Sequence, residues 1–231
     1  MINKSFFYKA FRYVIGGASF LCATVVFVLN FIYTSKISYD INELVSYENS
    51  LAKSIIMMII ALFSLVIYGL IRKEAVKISE KKLFLVLSAV CIISGLYLVL
   101  NVEHTVRADA RSVYQTALEL MEGKYNSFLP SGYIQRYPYQ LGIVLFEALL
   151  LCFSTSVSVM FFANLIFVIG INFYLYKISD CIFGDKRVNI LTLLFSFAFL
   201  PQMFFILFAY GLVPGFFFMT AAFYNGIKYG K

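Results

Sequence analysis

Long runs of apolar residues, separated by short polar stretches, set the pattern of this chain. A charge-free stretch of about 20 residues is long enough to cross the hydrocarbon core of a bilayer as a helix. Two runs, 137–176 and 188–227, are longer than one crossing needs, so each must turn within itself. Turn-forming residues predict the breaks near 154–158 and 210–215. The pattern therefore predicts seven membrane segments, which are 13–35, 54–71, 83–102, 141–156, 158–176, 188–209 and 212–227.

The composition agrees with a membrane protein and excludes several other classes. Of the 231 residues, 61% are hydrophobic and 13% are charged, whereas a soluble domain carries about 25% charged residues. We therefore predict an all-α fold, a polytopic transmembrane helix bundle that forms one integral membrane domain over 1–231. The net charge of +7 comes from basic residues at the ends of apolar segments, which argues against a nucleic-acid partner. The four cysteines have no close spacing and predict neither a disulfide framework nor a metal site.

Basic residues also predict which loops face the cytoplasm, because short cytoplasmic loops collect lysine and arginine. Residues 72–82 hold five basic residues, so we place this loop and the N-terminus inside and the outer loop 103–140 outside. If 141–156 and 158–176 both cross, the basic loop 177–187 falls outside, against the rule. The alternative is that this stretch crosses once, with part of it re-entrant. Two crossings are favoured, because 36 residues are more than one crossing needs.

The outer loop 103–140 is the long polar segment of the chain and carries most of its candidate chemistry. Apolar residues at helical spacing predict an amphipathic juxtamembrane helix from Val106 to Gly123, lying on the outer membrane face. Asp109 stands near its start, where the helix dipole favours a carboxylate, either alone or paired with Arg107 or Arg111. A loop rich in tyrosine and proline follows, and tyrosine suits the headgroup level of a bilayer.

Several short motifs of this region resemble one family of membrane enzymes. They are Asp-Ala-x-x-Val-Tyr-x-x-Ala from Asp109, Tyr-Pro-Tyr-Gln-Leu-Gly from Tyr137, and the connectors 182–187 and 208–211. Together with three preceding apolar helices and a basic inner loop, they look like bacterial multi-pass glycosyltransferases of the GT-C superfamily, in the family 39 or protein-mannosyltransferase-like branch. The resemblance covers most of residues 83–230. Where members of the family commonly have His-Pro-Pro or Tyr-Pro-Asn, this chain has Tyr-Pro-Tyr-Gln at 137–140.

The resemblance implies an enzyme of the bacterial plasma membrane that transfers a sugar from a polyprenyl-phosphate donor to an envelope acceptor on the outer face. It implies that Asp109 is the catalytic carboxylate, acting as general base toward the acceptor hydroxyl. Cations would stabilise the leaving phosphate, and the candidates are Arg107, Arg111, Arg136 and Lys124. Contacts with the sugar or the acceptor are expected from Tyr133, Tyr137, Tyr139 and Gln140.

Three further ionisable residues are weaker candidates. Glu147 interrupts an apolar run, and an ionisable group at membrane depth is a functional hypothesis by default, although a position near the headgroups is the alternative. Glu103 and His104 follow the third segment, where polar residues are expected at an interface without any catalytic role. A lone histidine makes no metal site. The metal is therefore unknown from the residues, and family analogy alone admits Mg²⁺ or Mn²⁺.

The expected partners are the lipid bilayer and a polyprenyl-phosphate-linked sugar. Members of this family are usually longer and have further helices, so the resemblance also implies a missing C-terminal half or a second membrane protein. The sequence leaves open whether this chain is active alone. It also leaves two other functions open, a truncated, non-catalytic assembly partner that binds lipid-linked sugar and a small-molecule transporter. A transporter should place its polar residues at mid-membrane in broken helices, whereas here they lie in the outer loop.

Overall fold

The computed structural model of the chain describes the backbone of residues 4–32, 34–38, 44–48, 51–74, 77–106 and 108–230. It is predominantly helical, which confirms the helical fold class predicted from the sequence. The chain divides into two compact units, Met1–Leu70 and Ile71–Lys231.

The first unit contains helix α1, Lys4–Ile32, and most of helix α2, Leu51–Glu74. Strands β1, Thr34–Ser38, and β2, Leu44–Glu48, form an antiparallel hairpin in the polar stretch between the helices, with Ile37 opposite Val45. The sequence analysis did not predict these strands, although their β-branched and aromatic residues favour extended backbone. Both helices expose apolar side chains along their described faces, and such surfaces need a cover of lipid or protein.

The second unit contains the remaining helices. In chain order they are α3 Glu80–Asn101, α4 Ala108–Met121, α5 Tyr133–Arg136, α6 Leu141–Leu151, α7 Ser158–Phe183, α8 Lys186–Ala198, α9 Pro201–Phe205 and α10 Leu212–Tyr229. Within the described residues, α3 and α7 are long and apolar enough to cross a membrane. At a rise of about 1.5 Å per residue they extend about 33 and 39 Å, against a hydrocarbon core of about 30 Å. The predicted count of seven crossings stays a prediction.

Hydrogen bonds at both ends show that α3 and α7 run antiparallel. Near the start of α3, Glu80 accepts a bond from Tyr176, which lies late in α7, at 3.2 Å. Beyond the end of α3, His104 Nδ1 lies 2.9 Å from Oγ of Ser158, the first residue of α7. We call these the basic end, named for Lys177 and its neighbouring basic residues, and the loop end, which leads into residues 103–140.

The last three helices complete this arrangement. Asn189, early in α8, donates to Glu80 at 3.1 Å, so α8 starts at the basic end. Asn164, early in α7, donates to the carbonyls of Ile206 and Phe208, so the connection after α9 lies at the loop end. α10 packs along α7 and runs in the same direction. Gly170 of α7 lies against the ring of Phe217 of α10. Further along both helices, the ring centroids of Tyr174 and Tyr224 lie 5.7 Å apart. The chain thus passes four times between the two ends.

The short helix α6 covers only part of the predicted segment 141–156. Its 11 residues extend about 16 Å, roughly half of the hydrocarbon core. Since His104 and Ser158 both lie at the loop end, the chain between them begins and ends there. The crossing by 141–156 and its re-entrant alternative both stay predictions.

The predicted turns are present, with one addition. The chain turns between α6 and α7 and again before α10, as expected. The predicted segment 188–209, however, is two helices, because α8 ends at Ala198 and Pro201 begins α9. Proline has no backbone N–H and clashes with the preceding turn of a helix, so it starts a helix more readily than it continues one. The sequence analysis did not use this residue.

Helix α4 is present as predicted, but its apolar stripe packs against protein and not against the membrane surface. Val113 and Ala117 on this stripe are fully buried, and α4 packs mainly against α6. Gly123, with φ 72°, lies just after the helix end, as predicted. The stripe therefore contacts protein, whereas the amphipathic pattern alone had suggested contact with the membrane surface.

Candidate functional site

The first turn of α4 presents Asp109 at the loop end. Its carboxylate is exposed, and the described residues contain no ion pair between it and Arg111. Two residues apart on a helix, these side chains do not face each other. Ala108, directly before Asp109, has φ 48°, a left-handed conformation that costs a non-glycine residue about 1–2 kcal/mol. Strain of this kind clusters at functional sites, which adds weight to Asp109.

Tyr133, on the short helix α5, lies within electrostatic reach of Asp109. Burial raises the pKa of the Tyr133 phenol to about 12, with further contributions from Tyr210 and Asp109. Its phenol is therefore protonated at neutral pH and able to donate a hydrogen bond. The outer loop thus brings a carboxylate acceptor and a phenol donor into one region.

Gln140 ties the outer loop to the connection before α10. Its Nε2 donates to the hydroxyl of Tyr210 at 2.5 Å. Asn164 holds the same connection through the carbonyls of Ile206 and Phe208. The sequence predicts Gln140 as a contact of the sugar or acceptor, whereas Tyr210 is predicted only as part of the break at 210–215. A tyrosine before a glycine, in a break between two apolar helices, is the signal that could have drawn attention to it.

Aromatic rings extend the site along the outer loop. The ring centroids of Tyr133 and Tyr137 lie 5.2 Å apart, and those of Tyr137 and Tyr139 lie 6.1 Å apart. Tyr139 is 76% exposed. A row of tyrosines beside a carboxylate offers both flat apolar faces and hydroxyl groups, which is the chemistry that a sugar ring requires of its binding site.

The predicted cations are not all in one place. Arg136 ends α5, next to the tyrosine row, and is exposed. Arg107 lies outside the described residues. Lys124 lies beyond the far end of α4, about 20 Å from Asp109 along the helix, where its Nζ is 2.6 Å from Glu122. Of the described cations, Arg111, two residues after Asp109, and Arg136, next to the tyrosine row, stay candidates for a phosphate at this site.

The weaker candidates lie apart from the tyrosine row. Glu147 is 2% exposed, and neither carboxyl oxygen has a hydrogen-bond partner among the described residues. It is buried on α6, which packs against α4, and so does not line the open surface at Asp109. Glu103 is exposed. His104 is exposed too, and it bonds Ser158 and the carbonyl of Val99.

A cavity of about 740 Å³ lies between α7, α8, α9 and α10. Apolar side chains form most of its wall, with Thr192, Ser196 and Gln202 as the polar members. Leu212 and Val213, which line it, follow Tyr210 by two and three residues. The cavity therefore extends from Val188, early in α8, to the start of α10. Its volume is typical of a ligand site.

The described residues do not form a cluster of three or more histidine, cysteine, aspartate or glutamate side chains that could hold a metal ion. Asp109 alone supplies too few ligands for the divalent cation that family analogy admitted. We therefore derive no step through a metal.

Comparison with known proteins adds no family to this picture. No family model, curated protein or solved structure matches the chain. The function is therefore inferred from the residues of the site.

Proposed function

We propose that the protein is a membrane glycosyltransferase that takes a sugar from a polyprenyl-phosphate donor and passes it to an envelope acceptor. The observation that carries this proposal is the apolar cavity of about 740 Å³, whose lining includes the start of α10 two residues after Tyr210. A polyprenyl-phosphate sugar is apolar along its chain and polar at its head, so its site needs both surfaces side by side. Leu212 and Val213 supply the apolar side directly after Tyr210.

The chemistry follows from the groups at the loop end. The acceptor hydroxyl oxygen bonds to the anomeric carbon, the bond from that carbon to the phosphate oxygen breaks, and the hydroxyl proton passes to Asp109. The phosphate leaves with negative charge, and in this proposal the guanidinium of Arg136 and the phenol of Tyr133 stabilise it. The exposed rings of Tyr137 and Tyr139 provide the stacking surface for the sugar.

The four passes of the second unit suggest how the chain lies in the bilayer. With α3 running outward, the basic end faces the cytoplasm and carries Lys77, Lys81, Lys82, residues 177–187 and Lys228, as the positive-inside rule requires. Residues 103–157 then lie outside or re-entrant. Adding the apolar segments 13–35 and 54–71 gives six crossings. This scheme removes the conflict that the seven-crossing prediction had with loop 177–187.

No observation specifically supports the assembly-partner alternative. The transporter alternative needs polar residues that line a path at mid-membrane, and the candidates for it form hydrogen bonds within the protein. Asn164 donates to two backbone carbonyls, and Asn172 donates to Val168 and Gln202. These amides stabilise the protein at its broken segments. The loop-end region, which the transferase proposal requires, carries the exposed Asp109, Arg136 and Tyr139.

Topology can be tested with single cysteines. In a chain whose four natural cysteines are replaced, we expect Asp185→Cys to stay unlabelled by an impermeant thiol reagent in intact cells. Gln135→Cys, in the outer loop, should be labelled, and permeabilised cells should label both. Labelling of Asp185→Cys in intact cells would contradict the six-crossing scheme.

The activity itself is measured by release of polyprenyl phosphate. Bacterial membrane vesicles that contain the protein should release it from mannosyl, glucosyl or galactosyl polyprenyl phosphate, with label passing to envelope material. Vesicles from the same strain without the protein serve as the control. Equal release with and without the protein, for each donor, would reject the proposed activity.

A further inference from the structure

A second chemical group at the loop end lies outside the tyrosine row, where the end of α3 meets the start of α7. Oγ of Ser158 lies 2.9 Å from Nδ1 of His104, and Nε2 of His104 lies 2.7 Å from the carbonyl oxygen of Val99. The ring of His104 also packs edge-on against Phe161 at 5.5 Å. A hydroxyl, an imidazole and a group that orients the imidazole therefore follow one another in line.

The hydrogen-bond partners fix the direction of each proton in this chain. A carbonyl oxygen can only accept, so Nε2 of His104 carries the hydrogen that points to Val99. In the neutral imidazole, Nδ1 is then an acceptor, and the hydroxyl of Ser158 donates to it. Ser156, whose Oγ lies 2.9 Å from that of Ser158, consequently donates to the Ser158 oxygen. The Ser158 proton is thus directed at a base.

The two helix ends favour movement of this proton. Ser158 lies in the first turn of α7, where the helix dipole is positive and stabilises a developing negative charge. The Val99 carbonyl lies in the last turn of α3, where the dipole is negative and stabilises an imidazolium. Because α3 and α7 are antiparallel, both effects act on the same pair of residues.

We infer that Ser158 is a nucleophile, with His104 as its general base, and that it accepts an acyl group from an activated carboxylic ester. Oγ of Ser158 bonds to the acyl carbon, while its proton passes to Nδ1 of His104. The bond between the acyl carbon and the leaving oxygen or sulfur then breaks, and the leaving group takes the proton from His104. The arrangement of nucleophile, base and orienting acceptor is the one that activates serine for such transfers.

This activity is separate from the proposed sugar transfer. It uses neither Asp109 nor the tyrosine row, and it needs no ligand in the cavity between α7 and α10. His104 is exposed, and Ser158 is half-buried, so a small ester can approach from the aqueous side. Failure of one activity therefore leaves the other to be judged on its own experiment.

A phosphonofluoridate probe tests the inference on the full chain in detergent or in membranes. In that reaction Oγ of the serine bonds to phosphorus, fluoride leaves, and the serine proton passes to the base. We expect a covalent adduct that peptide mass spectrometry assigns to Ser158. We expect His104→Gln to lower the labelling rate at least about 100-fold, since a positioned general base contributes about that much or more.

Matched variants separate this reaction from general reactivity. Thr155→Ala removes an exposed hydroxyl of the same turn and should label at the rate of the unaltered protein. Ser158→Ala should not label. Mapping the adduct on the unaltered protein does not depend on whether a variant folds. An adduct found only on other residues, or equal labelling rates for the unaltered protein and His104→Gln, would overturn the inference.

Discussion

Replacing Asp109 with asparagine is expected to lower sugar transfer by about 100- to 10,000-fold, the range that a positioned general base contributes. Asparagine has nearly the same size but cannot take the proton of the acceptor hydroxyl. Asp109 is exposed and forms no ion pair or hydrogen bond within the described residues, so the fold should be unaffected. The measurement is the rate of polyprenyl phosphate release in membranes with equal amounts of each protein.

A matched carboxylate provides the control for this change. Glu122 is also exposed, on the same outer segment, but it lies beyond the far end of α4 and pairs with Lys124 at 2.6 Å. Glu122→Gln should retain the transfer rate of the unaltered protein within about two-fold, because a surface ion pair contributes about 0–1 kcal/mol. Equal rates for Asp109→Asn and the unaltered protein would remove Asp109 from the mechanism.

Adding one methyl group at Gly132 is expected to disorder the loop that carries the tyrosine row. A Cβ at this position would lie 2.4 Å from the carbonyl oxygen of Ser127 and 2.7 Å from that of Asn126. Backbone atoms cannot move aside as a side-chain end can, so Gly132→Ala should destabilise the loop by roughly 1–3 kcal/mol. Tyr133 begins α5 directly after this glycine, so its position should change as well.

Limited proteolysis measures this effect directly. Trypsin cleavage after Arg136 should become about 5- to 150-fold faster in Gly132→Ala, because cleavage follows the population of the opened loop. Transfer activity should fall along with it. Gly142→Ala is the matched control, since a Cβ there meets no atom within 4 Å, and alanine favours helix α6 by up to about 1 kcal/mol. Unchanged cleavage in Gly132→Ala would show that the loop does not depend on this close approach.

Local patterns predicted much of the second unit. The apolar run 83–102 corresponds to α3, Glu80–Asn101, and the amphipathic pattern corresponds to α4, which ends just before Gly123. Hydrophobic periodicity and glycine positions reflect interactions between residues close in sequence. The extents of these two helices depend on such interactions, so they could be predicted. Asp109 near a helix start was predicted for the same reason.

Contacts between distant parts of the chain could not be predicted in this way. Periodicity indicates that α4 has an apolar face, but not that α6 covers it. The bond between Gln140 and Tyr210 joins residues 70 positions apart, and the pairing of Ser158 with His104 joins residues 54 apart. Charge counting likewise left two topologies open, because it does not indicate that the chain between His104 and Ser158 begins and ends at the same end of the α3–α7 pair.

The central claim is that the cavity between α7, α8, α9 and α10 holds the chain of a polyprenyl-phosphate donor. The most direct test uses a polyprenyl phosphate with a photoreactive group in its isoprenoid chain, added to the protein in native membranes. We expect saturable cross-links in peptides that contain Phe205, Leu212 or Phe216, which line the cavity. Unmodified polyprenyl phosphate should compete for them, and phosphatidic acid at the same concentration should not. Cross-linking that does not saturate, or that both lipids reduce equally, would contradict the claim.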